Sequence, residues 1–169
     1  RPTGKIIGFV IAAVLVSMAV YHFYASGFGL MRELVHRGIH LSFVLGLVFL
    51  LFGIRKSDTL GPKAWYRFDG VPMIDIIFAF LAVGAAMYLP RLPAASLAQR
   101  VGNPSPSDVF MGSALLLLTL EATRRSVGPT LPIIGLVFIA FAYFGPWMPG
   151  ALKHGGSSWL GIINHLYMT

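Results

Sequence analysis

The feature that most limits what this chain can become is a series of long stretches free of formal charge. Ile6 to Met31 runs for 26 residues without Asp, Glu, Lys or Arg, and Ser126 to Leu152 for 27. A helix of about 20 residues crosses the ~30 Å hydrocarbon layer of a bilayer, because each residue rises about 1.5 Å and the backbone satisfies its own hydrogen bonds. Only 11% of the 169 residues are charged, where a soluble domain carries about a quarter. With 56% hydrophobic residues and no Cys, a disordered tail, a disulfide scaffold and a thiolate metal site are excluded as well. The expectation is an all-α, polytopic transmembrane helical bundle.

About five membrane helices are expected, with short interfacial segments between them. The first lies at about Ile6 to Tyr24; Arg1 and Lys5 before an apolar run also suit a signal peptide, but the run is too long and no A-x-A site follows. After a polar hinge with Arg32, Glu33 and Arg37, the second covers Gly38 to Ile54. The third covers residues 71–90, with Pro72 in its first turn and Pro90 at its close. Asn103-Pro104-Ser105-Pro106-Ser107 breaks helix, and Ser107 or Asp108 is expected to cap the fourth, whose apolar run is Val109 to Leu120. The fifth follows Gly128-Pro129 and ends at Gly145-Pro146-Trp147-Met148-Pro149-Gly150. Residues 153–169 read as an amphipathic tail that lies on the membrane or leads onward.

The net charge is +7, from 13 Lys and Arg against 6 Asp and Glu. Because the basic residues sit between apolar runs, they read as topology signals that meet membrane lipids, not nucleic acid. With the N-terminus in the cytoplasm, eight fall inside (Arg1, Lys5, Arg55, Lys56, Lys63, Arg67, Arg124, Arg125) and five outside (Arg32, Arg37, Arg91, Arg100, Lys153), which favours that orientation. Trp65, Tyr66, Arg67, Trp147 and Trp159 have the mixed aromatic and basic character of membrane-interface anchors.

Few residues have the means for chemistry. Asp75 is the one acid inside an apolar span, and its place near a helix start suits an interfacial or interhelical structural role better than ion binding. His22, His36, His40, His154 and His165 are scattered, and His36 with His40 at i,i+4 makes a weak metal pair without a third ligand. Glu121 lies one turn from Arg124 and Arg125 and can pair with either, as an interfacial anchor to another helix. Gly8 with Ala12 and Ala82 with Ala86 permit close helix contacts. No nucleotide-binding, zinc-protease or nucleophile-elbow motif occurs, so no catalytic function and no cofactor is expected in this chain. A small ion channel or proton-coupled carrier using Asp75 and the histidines is the alternative from a different class.

Four segments in order carry a resemblance: His36-Arg37-Gly38-Ile39-His40-Leu41, Leu120-Glu121-Ala122-Thr123-Arg124-Arg125, Phe144-Gly145-Pro146-Trp147-Met148-Pro149-Gly150 and His165-Leu166-Tyr167-Met168-Thr169. They resemble the N-terminal, small-subunit-like region of fused permeases of the TRAP (tripartite ATP-independent periplasmic) transporters. The resemblance implies a four-helix membrane region over residues 1–125, a linking fifth helix over 126–152, and a tail over 153–169 leading toward a large transport region. It further implies a bacterial or archaeal cytoplasmic (inner) membrane and a periplasmic solute-binding protein that delivers an organic acid. A large subunit would move that acid by a sodium-driven elevator motion, with the sodium held in the large subunit. The small part would brace that subunit, and would not transport alone.

Overall fold

A computed structural model describes residues 1–29, 32–54 and 66–169. Their packing forms two compact units, Arg1–Arg91 and Leu92–Thr169. Among the described residues, four helices are long and apolar enough to cross a membrane. They are α1 (Lys5–Phe28), α2 (Glu33–Leu51), α3 (Met73–Tyr88, continued by a 3-10 turn to Arg91), and α6 (Thr130–Phe144, continued to Trp147).

In the first unit α2 starts before the expected second span. The residues expected as a hinge are largely its first turn, with Glu33 paired to Arg37 at i,i+4. α2 packs closely on α3 because the facing residues are small. Ala79, Ala82, Ala85 and Ala86 are buried on α3, and a Cβ added to Gly38 would stand 2.5 Å from the Pro90 ring and 2.9 Å from the Ala86 carbonyl oxygen. Ala82 and Ala86 thus form a contact face, while Ala12 of α1 is exposed. A core of Ile7, Ile11, Leu47 and Val71 joins α1 to the rest.

Between α2 and α3 stands a small hairpin, β1 (Arg67–Phe68) and β2 (Val71–Pro72), with Phe68 opposite Val71. Its two turn residues, Asp69 and Gly70, have φ of 51° and 92°, the left-handed pair that a type I′ turn requires. Pro72 therefore ends a strand and caps α3 instead of lying in its first turn. The hairpin also closes the start of α1. The Asp69 carboxylate accepts from the Ile7 N–H at 2.6 Å and the Asp69 carbonyl from the Gly4 N–H at 2.7 Å, supplying the cap that Gly4 has no side chain to make.

The second unit begins with α4 (Ala94–Arg100), a short helix inside the stretch read as a helix-breaking connection. α5 (Pro106–Ser126) is capped by Ser105, two residues before Ser107 and three before Asp108, the expected caps. Ser105 is the cap because Pro106 suits the first helical position, where its missing N–H costs nothing. Ser105 and Asp108 then form a reciprocal capping box, with the Asp108 carboxylate accepting from the Ser105 N–H at 2.7 Å. α5 has 21 residues, but its charged ends keep it out of the four most apolar helices.

The tail returns as α7 (Trp159–Ile163) and a π-helical turn, Asn164–Met168. It packs on α5. A Cβ on Gly112 would meet Ile163 at 2.6 Å and the Tyr167 ring at 2.7 Å, so the absence of a side chain there admits the tail.

Candidate functional site

Asp75 sits in the first turn of α3 and is fully buried. Its carboxylate accepts from Arg1 Nη2 at 2.5 Å, and the Arg1 side chain is only 2% exposed. A buried acid beside a buried guanidinium forms a neutral pair, and this one ties the segment before α1 to the start of α3.

The first unit also brings together histidines that lie far apart in the sequence. His22 of α1 reaches the i,i+4 pair on α2, with His22 Nε2 2.9 Å from His40 Nδ1. Tyr21 Oη and His36 Nδ1 share a hydrogen bond at 3.0 Å. The Met18 carbonyl, 2.7 Å from His22 Nδ1, can only accept, so that nitrogen carries a proton. In the neutral cluster Nε2 of His22 then accepts from the Nδ1–H of His40. Ring stacking of Tyr21 on His36 completes a polar clasp between α1 and α2. The sequence shows the helical pair, but the arrival of His22 depends on how the two helices meet.

In the second unit Glu121 pairs with both arginines on the same helix. Arg124 donates through Nε at 2.7 Å and Nη2 at 2.8 Å, one to each carboxylate oxygen, and Arg125 through Nε at 2.7 Å. The Arg125 side chain is buried and that of Arg124 is 39% exposed. The Arg124 hydrogen bond, opposed by partial burial and helped by Arg125, lowers the Glu121 carboxyl from its ordinary 4.5 to about 2.

Two residues that the sequence offers only as a possible helix cap and a scattered histidine have comparable settings. Asp108 is fully buried and accepts from Arg100 Nη1 at 3.2 Å, which ties α4 to the start of α5. His154 folds under the turn after α6. Its Nδ1 accepts from the Gly156 N–H at 3.1 Å, so its Nε2 holds the proton donated to the Phe141 carbonyl. A Ser-x-x-Asp motif announces the first, whereas no local signal announces the second.

Of the expected interface anchors, Trp147 is 74% exposed and Trp159 37%. Trp159 donates from Nε1 to Ser113 Oγ at 2.9 Å. Arg67 lies over the Tyr66 ring at 5.8 Å, and Trp65 lies outside the described residues. Among the described residues no group of three or more His, Cys, Asp or Glu side chains is placed to hold a metal ion. Comparison with protein-family models, with curated proteins and with solved structures finds no match.

Proposed function

We propose that this chain is a membrane scaffold: the small-subunit-like part of a sodium-driven TRAP transporter for organic acids, bracing an elevator-type transport subunit that works with a periplasmic solute-binding protein. The reading takes five spans, the four apolar helices and α5, whose Val109–Leu120 run crosses while Glu121, Arg124 and Arg125 stay at its watery end. It places the chain in a bacterial or archaeal inner membrane, N-terminus inside. The sequence segments that resemble TRAP permeases name the family. One structural observation supports a scaffold: the acids Asp75, Asp108 and Glu121 are each bound to arginines at helix ends. Such groups fix helices and have little freedom to pick up and release an ion. The physical role is leverage, since an elevator needs a part that stays fixed in the bilayer, and interfacial Trp and Arg resist tilting.

Co-expression with a TRAP transport subunit and its binding protein tests this. Copurification of the chain, and loss of sodium-dependent uptake without it, are expected; uptake indifferent to the chain would refute the reading. The alternative carrier draws on the burial of Asp75. Replacing the whole pair, Arg1→Met with Asp75→Leu, separates the two readings, because exchanging both partners for apolar groups leaves no buried lone charge. A scaffold keeps assembly and uptake, while a carrier using Asp75 loses flux.

A further inference from the structure

The segment that leaves α6 turns back on it at once. The Ser157 N–H donates to the Ala142 carbonyl of α6 at 2.8 Å, and the His154 N–H to the Gly145 carbonyl at 3.2 Å. Gly156 has a φ of 71° and lies so close to Pro146 that a Cβ there would stand 2.6 Å from its ring. The His154 ring packs inside this turn. Its centroid is 4.5 Å from that of the Phe141 ring, and a side chain on Gly145 would strike it.

Both nitrogens of that ring are committed, in opposite senses. The Phe141 carbonyl, 3.1 Å from Nε2, can only accept, so Nε2 carries a proton. The Gly156 N–H, 3.1 Å from Nδ1, can only donate, so Nδ1 must offer a lone pair. The neutral imidazole with its proton on Nε2 is the one form that meets both demands. A second proton, taken from water onto Nδ1, would set one N–H against another, break the Gly156 bond and leave a cation inside the turn. Among the described residues no acid pairs with His154 to offset that charge. From α6, the turn and the loop it is faced by Phe141, Gly145 and Gly156, which do not ionise. Tyr143 of α6, Lys153 and His165 of the tail are exposed, and the acids of α5 are bound to arginines. We propose that His154 is an acid-sensitive latch: neutral, it closes residues 153–158 onto the end of α6; protonated, it releases them and loosens the joint between that helix and the tail.

This inference rests on contacts within the second unit and not on the transporter reading. Backbone amide exchange of the full chain in detergent micelles, corrected for its intrinsic dependence on pH, tests it. The measurement compares about pH 8 with about pH 5, the two sides of the range in which imidazoles change charge. At the acid end the Gly156 and Ser157 amides should lose about tenfold in protection, the worth of one hydrogen bond, while amides in the middle of α5 keep theirs. His154→Gln, or His154→Phe if the first does not fold, takes up no proton there and should show equal protection at both pH values. His165→Gln should respond as the parent chain does. Nitrogen NMR of the histidine-labelled chain should find the His154 Nδ1 unprotonated at the higher pH. Equal protection of the parent chain at both pH values overturns the proposal. So does an undiminished response in a folded His154 variant, a response lost in His165→Gln, or a proton found on Nδ1 at the higher pH.

Discussion

Ionised side chains persist in so apolar a chain by neutralising one another, and every described acid has a partner: Glu33 with Arg37, Asp69 at the start of α1, Asp75 with Arg1, Asp108 with Arg100, and Glu121 with Arg124 and Arg125. The Glu121 group allows the sharpest test. Glu121→Gln removes the negative charge while Arg125 stays buried, and should lower stability by about 2–3 kcal/mol, between the worth of an exposed pair and a buried one. Arg124→Ala, at a site 39% exposed, should cost only about 0.5 kcal/mol. Thermal unfolding in detergent measures both. The sign with pH is fixed as well: a carboxyl lowered from 4.5 to about 2 in the fold stabilises it fully above pH 4.5 and loses that contribution as pH falls toward 2. The decline over this window should be smaller in Glu121→Gln than in the parent chain, and equal declines would contradict the pairing.

At the scale of elements, what decides is how closely helices approach. Gly38→Ala places a methyl against the Ala86 carbonyl and the Pro90 ring, and the backbone cannot yield, so overpacking should outweigh the gain in helix propensity and destabilise by about 1–2 kcal/mol. Gly84→Ala meets nothing within 4 Å and should stabilise by about 0.5–1 kcal/mol. Measured together, the two separate close packing from propensity. His40→Ala removes the partner of His22, and should raise amide exchange along the second half of α1 while leaving the contact of α2 with α3 protected. Four of the five expected spans and the Glu121 pairs were legible in the sequence because hydropathy and i,i+3 or i,i+4 spacing are local. The His22 contact was not, since it depends on how α1 meets α2. The hairpin had a signal in Asp69-Gly70, but two-residue strands between basic and aromatic neighbours give no alternating pattern to notice. The return of the tail onto α5 was hidden because Gly112 looks like any helical glycine until Ile163 is set beside it.

Over the whole molecule, the outward surface is the controlling quantity. Only 11% of the most apolar window of α1, and the same share of that of α6, is buried within the protein. Surfaces so apolar and so exposed need lipid or other membrane helices around them, since water would make them aggregate. The proposed N-inside orientation rests on charge, eight basic residues inside against five outside when five spans are taken. The prediction concerns the ends of the first three spans: Lys5 before α1 belongs inside, and Arg91, after the third crossing, belongs outside. The chain contains no Cys, so a single substitution gives a clean reporter without removing native thiols. In intact cells or right-side-out vesicles, an impermeant maleimide should label Arg91→Cys directly and Lys5→Cys only after permeabilisation. Labelling of both from the outside would mean that α1 to α3 cross an even number of times, and the reverse pattern would mean that the basic residues of the connections do not govern insertion here.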